Sequence, residues 1–217
     1  AASLLKGMPL DRLYAALPPI VGLHFASNNW VVDGAHSASG KPLLANDPHL
    51  AFSAPGTWYL ARILLPDLKL AGVTAPGVPM VVIGHNERIA WGVTNLGFDV
   101  QDLYAEKLDP KTGQYEFRGK TEQATRETEQ IPVRNSKPVE FSQWVTRHGP
   151  VIVSGGTTFL ALRWTANDPE AFAFPFLDID RAGNWDEFQA AIRRFPGPGQ
   201  NFVYADTSGN IGYHATG

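Results

Sequence analysis

From Asn29 onward the chain is heavily punctuated: short runs of alternating or β-branched residues are broken repeatedly by Gly, Pro, Asn and Asp. The runs fall at 30–33, 42–45, 57–65, 68–73, 80–84, 90–94, 101–107, 125–133, 139–147, 151–153 and 158–164. Extended pieces this short satisfy their backbone N–H and C=O groups by pairing with one another, so the pattern predicts a sheet-rich body.

Helical periodicity is confined to the two ends. Leu4, Leu5, Met8, Leu10, Leu13, Tyr14 and Ala16 suit a short helix over 3–16, which Pro18 and Pro19 terminate. A second helix is expected over 170–180 and a third over 185–194. The third has Asn184 as N-cap, Glu187 three residues on and Pro196 as its stop. Residues 202–213 then read as a hairpin, two apolar strands about a polar turn. The expected fold class is α+β, with no internal repeat. The chain stops just after the second hairpin strand begins, which suggests truncation at its C-terminal end.

Composition excludes several classes of function. Hydrophobic residues make up 44% of the 217 and charged residues 18%, enough apolar surface to offset the ordering entropy of folding. A net charge of -3, with no basic run beyond Arg193 and Arg194, argues against a nucleic-acid partner. The absence of cysteine removes disulfides, thiolate metal sites and a cysteine nucleophile. No stretch approaches the roughly 20 apolar residues that span a bilayer. Residues 1–6 lack the order of a signal peptide, so any export signal is expected outside this sequence.

The common catalytic motifs are also missing: no serine sits in Gly-x-Ser-x-Gly, no His-Glu-x-x-His occurs, and neither Gly40-Lys41 nor Gly119-Lys120 completes a phosphate loop. What remains is a set of polar strings. Ser27-Asn28-Asn29-Trp30 taken alone reads as a turn. Asn46-Asp47-Pro48-His49 places a polar turn and a histidine at the end of a strand. Gly84-His85-Asn86 leads into Trp91-Gly92-Val93-Thr94-Asn95, and Asp99 and Asp102 follow at three-residue spacing.

In order and spacing these strings resemble the penicillin acylase (penicillin amidase) family of N-terminal-nucleophile hydrolases. Its large subunit begins with Ser-Asn-x-Trp, passes through an Asn-x-Pro-His or Asn-x-Pro-Gln turn, and carries a Gly-His-Asn…Trp-Gly-x-Thr stretch before an Asp-x-x-Asp pair. The Asp206-to-Tyr213 string resembles a fifth element, so the likeness runs over about residues 20–217.

The resemblance implies that the chain is part of a four-layer αββα sandwich. Residues 1–26 would close the small subunit or linker, and 27–217 would open the large subunit. It implies autoproteolysis before Ser27, whose hydroxyl becomes the nucleophile and whose freed α-amine becomes the base. An α-amine titrates at about 7.7 to 8.0 and can accept a proton near neutrality, as an ordinary lysine cannot. Asn95 would give a backbone N–H to the oxyanion, and His49 would orient and polarise the amine. Leu50 and Ile83 would line the acyl pocket.

Asp99, the carbonyl of Gln101 and Asp102 would join a structural calcium site, with no cofactor for catalysis. The expected reaction is hydrolysis of a small-molecule amide, either a penicillin-like side chain or, alternatively, an N-acyl homoserine lactone. The partners would be the remainder of both subunits, and the location periplasmic or secreted. An unprocessed, inactive fragment or a β-rich binding module is the rival outside the enzyme class.

Overall fold

The punctuated runs pair as strands in a computed structural model, which describes residues 26–50, 53–78, 80–155 and 158–217. The helix expected over 3–16 lies outside the described residues. The chain divides into two compact units. One comprises the described parts of 26–98 together with 169–217, and the other spans 99–168.

In the first unit the strands are β1 (Ala26–Val32), β2 (Leu43–His49), β3 (Tyr59–Leu64), β4 (Lys69–Thr74), β5 (Ile83–His85) and β6 (Ile89–Asn95). The other unit holds β7 (Gln101–Glu106) to β13 (Thr158–Trp164). The chain then returns to the first with α1 (Phe176–Arg181), α2 (Trp185–Ile192), β14 (Gln200–Asp206) and β15 (Ile211–Ala215). An antiparallel sheet runs β15-β14-β6-β5-β4-β3, and among the described residues β1 pairs only with β2.

Alternation decides what each face of this sheet meets. Ile89 and Trp91 of β6, with Phe202 and Tyr204 of β14, are buried together with Phe188, Ala191 and Ile192 of α2. These three helix residues lie three and four apart and form one stripe. Phe188 sits 5.2 Å from the Tyr204 ring and 5.9 Å from that of Phe202. Each such fully buried large side chain contributes about 1.5–3 kcal/mol relative to exposure. The residues between them on the two strands turn the other way, toward the β1–β2 pair. Asn29 Nδ2 donates to Asn201 O at 3.0 Å. At Gly92 a Cβ would come within 2.9 Å of Asn46 Cβ, so only glycine permits this approach.

α2 starts as expected: Asn184 Oδ1 accepts the Glu187 N–H at 3.0 Å, and the Glu187 carboxylate accepts from Gly183 N–H at 2.8 Å. The helix expected over 170–180 is instead a 3-10 turn, Pro169–Phe172, followed by α1. Pro175 explains the break, because it has no N–H and its ring clashes with the preceding turn. Ser27, Asn28 and Asn29 lie inside a strand and not in a turn, and β2 runs on through Pro48 to His49. Proline is tolerated there because β2 has a partner on one side only among the described residues.

In the second unit β8 (Gln114–Phe117) and β9 (Lys120–Gln123) form a hairpin that the sequence pattern did not reveal. Arg118 and Gly119 both take positive φ, 49° and 75°, which is the two-residue turn such a hairpin needs. The other strands are β10 (Thr125–Ile131), β11 (Val139–Thr146) and β12 (Gly149–Gly155), in the order β10-β11-β12-β13-β7.

Candidate active site

A cavity of about 620 Å³ opens in the first unit where β5 stops short beside β6. β5 pairs with Ala90 and Trp91 only, so Val93, Thr94 and Asn95 reach the cavity with no strand on that side among the described residues. The size is typical of small-molecule sites. Ser27, Leu50, Ile83 and Asn95 all line it. So do side chains that the sequence did not single out, among them Trp58, Met80, Phe174 and Phe195. The Phe195 ring lies 5.7 Å from that of Phe174 and 5.6 Å from that of Phe202, in edge-to-face contacts that suit aromatic quadrupoles.

The described wall contains no Asp, Glu, His, Lys or Arg. Its polar members are Ser27, Thr94, Asn95, Gln200 and the Trp58 indole, whose Nε1 is buried without a partner among the described residues.

Ser27 is the second residue of β1 and pairs with Pro48, while Ala26 pairs with His49. The His49 ring is half exposed, does not line the cavity and sits 3.3 Å from the Asp47 carboxylate. Asn95 ends β6, where Gln200 Nε2 donates to its Oδ1 at 2.8 Å. Leu96 N–H donates to Gly199 O at 2.8 Å, toward β14. Successive N–H groups of a strand point to opposite edges, so that of Asn95 points away from β14, toward the cavity edge. Val93 N–H points the same way and donates to Asn46 Oδ1 at 3.0 Å. Asn46 Nδ2 in turn donates to Val93 O at 3.0 Å and to Asn28 O at 2.8 Å.

Two of the polar strings that carried the resemblance have structural work to do. Asn86 donates to the carbonyls of Asp180 and Ala182 at 2.9 and 2.7 Å. Its Oδ1 accepts from the N–H groups of Arg88 and Ile89 at 2.8 and 2.9 Å, so the β5–β6 turn is tied to the end of α1. Asp206 binds its own turn, accepting from the N–H groups of Ser208 and Asn210 at 2.9 and 3.0 Å.

Asp180, on α1, is fully buried. Its Oδ2 accepts from Val81 N–H at 3.1 Å and its Oδ1 has no partner among the described residues. Burial pushes this carboxyl up to about 7, a trend that the single N–H contact opposes.

Asp99, Gln101 and Asp102 belong to the other unit, at and just before the start of β7, and all three are exposed. Oxygen donors suit calcium, and these residues supply three against the six to eight that the ion takes. No group of three or more His, Asp or Glu side chains is gathered to hold a metal among the described residues.

The sequence profile of the penicillin amidase family matches residues 1–217. The chain belongs to the penicillin amidase family. It is 36% identical to the acyl-homoserine lactone acylase QuiP of Pseudomonas fluorescens over 200 residues, which are 88% of this chain and 24% of that protein. It is 32% identical to the penicillin G acylase of Escherichia coli over 206 residues, 91% of this chain and 24% of that one.

Among solved structures, the thermostable penicillin G acylase of Alcaligenes faecalis superposes with a TM-score of 0.75 at 29% identity. The match covers 87% of this chain and 34% of that one. The expected α+β class therefore holds, as the sheet-rich fold of an N-terminal-nucleophile hydrolase. The chain spans about a quarter of the length of the curated relatives it matches. No helix among the described residues is long and apolar enough to cross a membrane.

Proposed function

We propose that this chain carries the nucleophile of an amidohydrolase that cleaves an acyl group from a small-molecule amide. The observation behind the reading is a serine, Ser27, on the wall of an apolar cavity whose described lining has no ionisable side chain. A hydroxyl needs a base to attack a carbonyl, and the base this arrangement leaves is the serine's own α-amine, free once the Ala26-Ser27 bond is cut. Before the cut that nitrogen is an amide and accepts no proton, so cleavage is the activating step.

The proposed sequence begins with attack of Ser27 Oγ on the substrate carbonyl as its proton passes to the α-amine. The negative charge that develops on the carbonyl oxygen is met by the Asn95 N–H, whose direction toward the cavity edge supports this role. The amine product leaves with that proton, an ester on Ser27 remains, and water releases the acid. His49, which pairs with Ala26 in the β1–β2 ladder, would orient the new amine. Asn46, Gln200 and the Asn86 turn hold the frame.

Leu50, Ile83 and the phenylalanines would receive the acyl group. The cavity's volume favours a long or bulky acyl chain, which supports N-acyl homoserine lactones as a second substrate class beside penicillin-like amides. Parallel assays of a phenylacetyl amide and a long-chain acyl-homoserine lactone on the full-length protein decide between them. Turnover of neither, with an intact mass that keeps Ala26 joined to Ser27, overturns the enzymatic reading.

Asp99, the Gln101 carbonyl and Asp102 are proposed as part of a structural calcium site, completed by other oxygen donors. Chelation is then expected to lower the melting temperature, and calcium to restore it. A periplasmic or secreted location, and assembly with the rest of a small and a large subunit, are proposed with the family.

A further inference from the structure

We infer that Asn46 is a positioning residue that sets the distance between the nucleophile strand and the oxyanion donor. The inference rests on the reading of Ser27 and Asn95 given above. Asn46 is the one described side chain that hydrogen-bonds the backbones of both strands concerned: Asn28, next to Ser27 on β1, and Val93, two residues before Asn95 on β6.

Its carboxamide has two N–H groups and one oxygen. Nδ2 donates to Asn28 O and to Val93 O, and Oδ1 accepts from Val93 N–H. On Val93 it takes the place that a neighbouring strand would hold, because β5 has ended two residues earlier. It thus keeps the free edge of β6 straight up to the residue whose N–H faces the cavity. The same amide fixes the carbonyl of the residue that follows the nucleophile. Gly92 completes the device by leaving room for Asn46 against β6, where a Cβ would lie 2.9 Å from Asn46 Cβ and 3.2 Å from its Cγ.

The consequence is specific to the reaction. The carboxamide does not line the cavity, so loss of Asn46 leaves the acyl wall in place. The attacking oxygen and the oxyanion donor, however, are no longer held in register. A displacement of an ångström between reacting groups can cost on the order of 100-fold in rate. The loss should fall on the transition state and spare the ground state.

The test uses the full-length protein with chromogenic 4-nitroanilides of phenylacetic and hexanoic acid, and rates are referred to active sites titrated with an arylsulfonyl fluoride. Three variants are compared with the wild type: Asn46→Ala, Asn46→Asp and Gly92→Ala. The last keeps the carboxamide but displaces it from a second strand. In each, kcat is expected to fall about 10- to 100-fold with KM within about twofold. Affinity for a boronic acid, which forms a tetrahedral adduct on serine, should fall in parallel while that for the acid product stays unchanged.

Asn46→Asp adds a signature of its own. An ionised carboxylate faces two carbonyl oxygens, so its activity relative to wild type should recover as pH falls and a proton restores one donor. Should Asn46→Ala give no folded protein, Gly92→Ala and Asn46→Asp carry the test. Folded variants with unchanged kcat, or with a lowered melting temperature and no loss of boronate affinity, overturn the inference. A wild type that turns over no amide, or a Ser27→Ala variant that still does, overturns instead the reading on which it rests.

Discussion

The two units of this chain are both antiparallel sheet, yet they are held together by different means. Among the described residues, the unit of 26–98 and 169–217 has a buried cluster of twelve side chains, Trp91, Phe188, Phe202 and Tyr204 among them. Carboxamides supplement its ladder: Asn46 bridges β1 and β6, Asn86 ties the β5–β6 turn to the end of α1, and Gln200 bonds the Asn95 side chain at the end of β6. The unit of 99–168 has a cluster of four, Leu108, Tyr115, Ala124 and Phe159, and its edge strand β10 is exposed along its whole length. Its buried polar centre is Glu106, which accepts from Thr146 Oγ1 at 2.8 Å and contacts His148 Nδ1 at 2.8 Å, the histidine ring being stacked on Tyr104. The sequence strings that carried the resemblance lie almost entirely in the first unit. A cavity with an aligned rim asks for specific side chains at specific places, whereas a plain ladder asks only for alternation.

The largest effect should come from the centre of the apolar cluster. Trp91→Ala removes a fully buried indole and its bond to Val82 O, and should cost the first unit about 3–5 kcal/mol in urea unfolding. If the loss were under about 1 kcal/mol, the contrast in packing would collapse. Asn86→Ala comes next, at about 2–4 kcal/mol, because it strands two carbonyls and two N–H groups at once. Hydrogen exchange should place the loss in β5, β6 and α1.

Asp180 sharpens the comparison through pH. Its folded-state carboxyl titrates at about 7 against an ordinary 3.8, so the unfolded chain gives up its proton first. This group therefore costs nothing below about pH 4, lowers stability by at most roughly 1.4 kcal/mol per unit as pH rises toward 7, and adds no further loss above that. Unfolding midpoints of wild type should fall between about pH 4 and 7, and those of Asp180→Asn should fall less. The smallest effect belongs to the other unit. Thr146→Val removes one donor to Glu106 and should cost about 1 kcal/mol, and a loss as large as that at Asn86 would erase the distinction.

What the sequence made legible follows the same division. Alternation and punctuation located most strands, and β13 falls where its run was read, because period-two patterning is a local property. The Asn184 cap was legible for the same reason. The β8–β9 hairpin was missed because Arg118 stands where Asn, Asp or Gly usually announces such a turn. Pro175 itself marks the split between the 3-10 turn and α1 in the sequence.

At the candidate site, the motif likeness pointed to Ser27, Leu50, Ile83 and Asn95, and the fold brings these four to one cavity. Trp58, Phe174 and Phe195 could not be found that way: isolated apolar residues far apart in the chain look like any core residues until the fold gathers them. Asn46 reads in the sequence as part of a polar turn. Its bonds to two strands depend on β5 ending early, a tertiary fact with no local signal.

The N-terminal nucleophile proposed at Ser27 stands or falls on release from Ala26. Its most direct test is mass spectrometry of the full-length protein after treatment with an arylsulfonyl fluoride. The expected product is a new chain that begins at Ser27 and carries a single sulfonyl adduct on that residue, with hydrolysis lost in proportion to labelling. An adduct on any other residue, or full loss of activity with Ala26 still joined to Ser27, would contradict it.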